Sequence, residues 1–306
     1  MAALQIGIKL DGTEPMVHHS LFTTQGKMKL FLLLVSLAVA NAGVPYEPIE
    51  LNYHENIGIP LAERLRQAEL AQDFDGGRIV GGSASALGNH PHLGGLLITL
   101  TTGARSICGS SLVSPTCVVT AAHCWRTRQS QGRSAEVVFA SLNLLSGGHR
   151  VTSTNVQMHA NYNMDNLNND IAIIVIPWVG YTNNIRNIGL ASGTNAFVGV
   201  NAVAAGYGLT ADSGGSSGQL RHVTLQVISN ADCQRVFGPS NVIASTICTD
   251  GSQRRSTCRG DSGGSLVANG QLIGITSFGS IFGCQVGLPA AYARVTSFNA
   301  WISARM

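Results

Sequence analysis

The chain has 306 residues, 44% hydrophobic and only 11% charged, with 36 glycines and a formal net charge of +3. That composition suits a loop-rich, well-packed globular protein of one or two domains. From Ile79 onward there are 13 arginines, no lysine and seven acids. The arginines are scattered without interleaved aromatics, which argues against a nucleic-acid footprint.

In chain order, Met28-Lys29 is followed by an apolar run over residues 30–40 and by Ala40-Asn41-Ala42. A basic start, an apolar stretch and a small-residue cleavage site predict a secretory signal over 28–42. The run has 11 residues, too few to span a bilayer core of about 30 Å as a helix, so no membrane anchor is expected. Residues 1–27 carry no pattern of their own and read as a gene-model extension ahead of the true start. Residues 43–78 differ again, with seven acids, three arginines and no cysteine. Leu61, Leu65 and Ala68 at helical spacing predict a short helix over 61–70. The stretch ends in Asp75-Gly76-Gly77-Arg78, a glycine hinge before a basic residue, and reads as a candidate pro-peptide.

Beyond Ile79, short apolar runs alternate with Gly, Ser and Asn clusters. The runs span 93–101, 110–113, 117–120, 137–140, 171–176, 200–205, 223–227, 271–277 and 291–295. Their length and Val/Ile content predict an all-β barrel or sandwich. One helix is expected at the C-terminus, where Phe298, Trp301 and Ile302 repeat at i, i+3, i+4 behind Thr296 and Ser297 as caps. Seven cysteines, Cys108, Cys117, Cys124, Cys233, Cys248, Cys258 and Cys284, all follow Arg78. In a secreted chain disulfides are the default, and no Cys-x-x-Cys pattern points to zinc. The odd number leaves one thiol free. Cys117 is the choice, because Cys117-Val118-Val119 opens an apolar run where a thiol packs as a small hydrophobe.

Gly260-Asp261-Ser262-Gly263-Gly264 holds a candidate nucleophile, a serine whose glycine neighbours let backbone N–H groups approach a substrate carbonyl. A hydroxyl needs a base. No His, Asp or Glu follows Ser262, which excludes the α/β-hydrolase order of serine, acid, histidine. Asp170 with His222 would give another order, but His222 has no supporting motif. His123 follows an apolar strand in Val118-Val119-Thr120-Ala121-Ala122-His123-Cys124. Asp170 opens Ile171-Ala172-Ile173-Ile174, where a shielded carboxylate can fix an imidazole's tautomer.

Together with Ile79-Val80-Gly81-Gly82, these motifs resemble the chymotrypsin family of serine endopeptidases over residues 79–306. The resemblance implies two six-stranded antiparallel Greek-key barrels with a C-terminal helix and the reacting groups between them. It implies Ser262 as nucleophile, His123 as general base and then acid, Asp170 as orienting carboxylate, and the N–H groups of Gly260 and Ser262 as oxyanion hole. The implied bridges are Cys108–Cys124, Cys233–Cys248 and Cys258–Cys284. Cleavage after Arg78 by a trypsin-like protease would free the Ile79 amine to pair with Asp261. The primary pocket would be built by Ser256, by Ser277-Phe278-Gly279, the strand that pairs with the substrate backbone, and by Ala290.

A neutral Ser256 predicts cleavage after Phe, Tyr, Leu or Met, with Ala290 shortening the pocket. Elastase- or collagenase-like specificity, or a silent homologue acting as a binding module, are the alternatives. Ser265 departs from the proline usual in the family. The acid-free segment 139–151 offers no calcium ligands, and no metal or other cofactor is expected. The expected partners are protein or peptide substrates, the activating protease and protein protease inhibitors. The lysine-free body and the Cys117 pattern look similar to insect midgut chymotrypsins. Guanidinium stays protonated where an ammonium begins to titrate, so a secreted enzyme of an alkaline gut lumen is expected.

Overall fold

The alternation of apolar runs and turn clusters becomes two sheets, antiparallel but for one two-residue strand, each curled so that its edges meet. A computed structural model describes residues 45–71, 82–213 and 219–306. The expected signal, the 1–27 extension, Arg78 and Ile79 lie outside the described residues.

The first sheet contains β2 (Leu93–Leu100), β3 (Arg105–Ser114), β4 (Cys117–Thr120), β5 (Gly132–Phe139), β6 (His149–Ser153), β7 (Val156–Met158) and β8 (Ala172–Val175). Its order is β6-β5-β2-β3-β4-β8-β7. The two edges, β6 and β7, are separated in sequence by only Thr154 and Asn155. They act as one bent strand, which closes the sheet as a six-stranded barrel and leaves no exposed edge. Leu96, Ile98, Leu112, Val119, Val137, Phe139 and Ile173 fill its interior.

The second sheet is built from β10 (Asn201–Gly206), β11 (Arg221–Ile228), β12 (Thr246–Thr249), β13 (Ser265–Ala268), β14 (Gln271–Phe278) and β15 (Ala290–Arg294). They run in the order β11-β10-β13-β14-β15-β12, and pairing of β11 with β12 closes the ring. Two-residue additions, β1 (Ser83–Ala84) on β11 and β9 (Gly189–Leu190) on β14, bring the sheet to eight strands. Tyr292, Leu266, Ile273 and Ile247 pack inside.

Among the described residues three α-helices flank the barrels: α1 (Ile59–Ala71), entered through a π-helical turn His54–Gly58, α2 (Asn230–Phe237) and α3 (Val295–Ser303). The spacing in the acidic segment places α1 correctly: Leu61, Ala62 and Leu65 are buried, while Ala68 is half-buried. Helix α3 starts earlier than its hydroxyl residues suggest. β15 runs straight into it, Arg294 is the N-cap, and no side chain caps it. Arg294 is instead fixed by its guanidinium, which donates to the Thr246 and Ala244 carbonyls and to Asn230 Oδ1. Helix α2 does carry a capping signature, with Ser229 Oγ accepting from the Asp232 N–H at 3.1 Å.

Disulfides join Cys108 to Cys124, Cys233 to Cys248 and Cys258 to Cys284, and Cys117 is a buried free thiol. Burial pushes the Cys117 thiol up to about 12. A thiol that is neither ionised nor accessible is a poor nucleophile. Alkylation at pH 8 is therefore expected to leave the native protein unmodified and to consume one thiol per chain in denaturant. Rapid native labelling would contradict this packing.

Candidate active site

The site is assembled from the facing edges of both barrels. β4 ends at Thr120, and a single 3-10 turn, Ala122–Cys124, carries His123. The Cys124 bridge to Cys108 anchors that turn to β3. Asp170 precedes β8, the neighbour of β4, so the two residues meet side by side. The His123 N–H donates to Asp170 Oδ1 at 2.8 Å, and ring Nδ1 lies 2.6 Å from Asp170 Oδ2. With a buried carboxylate as partner, Nδ1 carries the proton and Nε2 is left as the acceptor. Ser277 in β14, from the other barrel, donates its hydroxyl to the same Oδ2 at 2.6 Å. Asp170 is 1% exposed, so three donors replace its water.

The Gly260–Gly264 stretch folds into a tight turn facing this pair. Gly260 has φ +99° and Gly263 φ +78°, in the region that favours glycine. At Gly263 a Cβ would also lie 2.5 Å from the Gly109 carbonyl. The turn is fixed by Gly264 N–H donating to the Asp261 carbonyl, Gly263 N–H to the Thr276 carbonyl, and Gly109 N–H to the Ser262 carbonyl. The last of these ties the turn to the first barrel. Such an arrangement suits nucleophilic attack by the serine with proton transfer through the imidazole.

Asp261 points away from the cleft. Its carboxylate accepts from the Gly208 N–H and the Cys258 N–H, each at 2.9 Å. Gly206 and Gly208 make room, since a Cβ on either would collide with the carboxylate. Burial raises its pKa to about 6 although both N–H donors act to lower it.

A cavity of about 180 Å³ opens beside these groups and is lined by His123 and Ser262 together with Ser256, Ser277, Phe278, Gly279 and Ala290. All the residues expected for the primary pocket are therefore brought to one place. Space beside Gly279 is open, with nothing within 4 Å of where a Cβ would stand.

A family model described as Trypsin matches residues 79–302. The chain belongs to the trypsin family. Brachyurin of Leptuca pugilator is 41% identical over 229 residues, covering 73% of this chain and 96% of that protein. Collagenase of Hypoderma lineatum is 37% identical over 231 residues, covering 74% and 86%. Among solved structures, HL collagenase superposes with a TM-score of 0.69 at 36% identity, covering 74% of this chain and 98% of that one. This member of the trypsin family is a serine endopeptidase, and its substrates are proteins or peptides.

Two features at this trypsin-family site went unread in the sequence. Ser277 lines the cavity, and its hydroxyl also bonds Asp170, which no spacing in the sequence reveals. Tyr53 and His54, from the acidic segment, lie against the site as well. The Tyr53 ring meets the His123 ring edge-on with centroids 4.8 Å apart, and Tyr53 is 3% exposed. Only the pair of large polar rings in Asn52-Tyr53-His54 could have signalled a buried contact. No helix among the described residues is long and apolar enough to cross a membrane.

The raised Asp261 pKa makes stability depend on pH. Below about pH 4 its carboxyl is protonated in both states and costs nothing. As pH rises to about 6 the unfolded chain ionises while the buried group does not, so stability falls by up to about 3 kcal/mol. In the intact chain, urea midpoints are expected to show this fall, and Asp261→Asn is expected to remove it. An unchanged pH profile in Asp261→Asn would contradict the assignment.

Proposed function

We propose that the protein is a secreted zymogen, cut after Arg78, that hydrolyses peptide bonds after large apolar residues. The neutral Ser256, which lines the cavity and by family resemblance would form the base of the pocket, carries this reading. Without a carboxylate there, an arginine or lysine side chain would be desolvated with no counter-charge, whereas an apolar side chain gains about 1.5–3 kcal/mol on burial.

In the proposed reaction Ser262 Oγ attacks the substrate carbonyl carbon as its proton passes to His123 Nε2. Asp170 holds the Nδ1–H and stabilises the imidazolium. The N–H groups of Gly260 and Ser262 stabilise the oxyanion, an effect typically worth about 2.7–4 kcal/mol per donor. His123 then gives its proton to the leaving amine, and the C–N bond breaks to leave an acyl-enzyme. A water molecule repeats the sequence to release the acid.

Activation would follow from Asp261. A buried carboxylate with its pKa raised to about 6 is an uncompensated charge at neutral pH. Freeing the Ile79 amine would supply the missing cation. The 28–42 signal, together with relatives such as brachyurin and collagenase, favours secretion, with a gut lumen as the site. A collagenase-like preference is the second reading, favoured by the name of the Hypoderma lineatum relative. The intact His123–Asp170 pair speaks against a silent binding module.

Two outcomes are expected. Arg78→Gln should give a secreted but inactive chain, and full activity in that variant would refute the activation step. On peptides varied before the scissile bond, the activated protein should favour Phe, Tyr, Leu and Met over Arg by at least about tenfold in kcat/KM. A preference for Arg, or for Ala alone, would overturn the pocket reading.

A further inference from the structure

We infer that the acidic segment is more than a covalent cap: once cut, it stays in the substrate cleft as a non-covalent inhibitor and must leave before the enzyme works. This rests on the reading of 43–78 as a pro-peptide cut after Arg78.

The segment touches each part of the site. Tyr53 occupies the space over His123, its hydroxyl donates to the Ile107 carbonyl at 2.7 Å, and the same oxygen faces the Ser262 side chain. A substrate carbonyl needs that space between imidazole and serine, so Tyr53 and substrate exclude one another. Leu61 packs on the oxyanion side, where a Cβ at Gly260 would lie 2.4 Å from Leu61 Cδ2. On the pocket rim, Ser280 Oγ donates to Glu47 Oε1 at 2.7 Å.

Several contacts hold the segment independently of its covalent link. Leu61 and Leu65 complete an apolar cluster with Leu93, Leu97, Ile107 and Val138 of the first barrel, which their departure would leave wet. His54 Nδ1 lies 2.8 Å from Ser106 Oγ, and Gly58 approaches the same hydroxyl so closely that a Cβ would overlap it. The Glu47 N–H donates to the Val236 carbonyl at 2.8 Å, and Ser130 donates to Glu55. All of these lie before Ala71, the last residue of α1. Cleavage after Arg78 therefore breaks none of them.

The segment is also a poor substrate. Residues 54–71 are helical, so this backbone is coiled rather than extended along Ser277–Gly279, and Tyr53 meets the reacting groups with a ring instead of a peptide bond.

The test begins with the full chain cut after Arg78 by trypsin and examined by native mass spectrometry. The segment is expected to remain on the enzyme, and Leu61→Ala/Leu65→Ala is expected to release it. Synthetic peptide 45–71, added to enzyme freed of its pro-peptide, should compete with substrate, and a Tyr53→Ala peptide should do so at least about tenfold less well. Immediate loss of the segment on cleavage, or retention without competition by the peptide, overturns the inference. A retained segment on an enzyme that is inactive even after the segment is removed supports the docking and counts instead against the activation reading.

Discussion

The carboxylate of Asp170 is the point where the two barrels are fastened together for chemistry. Its oxygens receive the His123 backbone N–H, the His123 ring and the Ser277 hydroxyl. The first two come from one barrel and the third from the other. A carboxylate this deeply buried would be costly unless fully hydrogen-bonded, so the barrels must approach closely enough to supply all three donors. That same approach sets the imidazole beside the Gly260–Gly264 turn, itself tied across by the Gly109 bond to the Ser262 carbonyl. The cleft is thus a by-product of satisfying one anion.

Asp261, adjacent to Ser262, is the opposite case. Two backbone N–H groups are not enough to hold its carboxyl at its ordinary value, and burial prevails. One buried acid is fully matched and the other is left short of a partner. In the proposed activation the second acid supplies the driving force, because a newly freed amine gains most where a charge is least compensated. The acidic segment adds a separate layer, blocking the cleft with Tyr53 whatever the state of Asp261.

Much of this was legible in the sequence because it depends on local patterns. The apolar runs place β2, β4, β8, β10, β11, β14 and β15 to within a residue or two, and the i, i+4 leucines place α1. β6 and β7 escaped because they form one bent, polar-faced edge with no apolar run. β12 and β13 are four-residue strands that tertiary pairing, rather than propensity, makes extended. Thr296 and Ser297 misled for a related reason: a strand feeding directly into a helix needs no side-chain cap. His123, Asp170 and Ser262 could be picked out by motif and order, whereas the Ser277–Asp170 bond spans 107 residues and the Tyr53–His123 contact crosses from the acidic segment. Long-range side-chain pairings of this kind leave no periodicity to read.

Replacing Asp170 by asparagine tests the central claim most directly, since it keeps the shape and removes the charge. The asparagine amide would donate toward Nδ1, shifting the ring proton to Nε2 where it blocks acceptance from Ser262. With the three disulfides and the unfolding midpoint retained, kcat of the activated Asp170→Asn enzyme should fall by about 10⁴-fold. A kcat within about tenfold of the unaltered enzyme would contradict the account and deny Asp170 its governing place in the site.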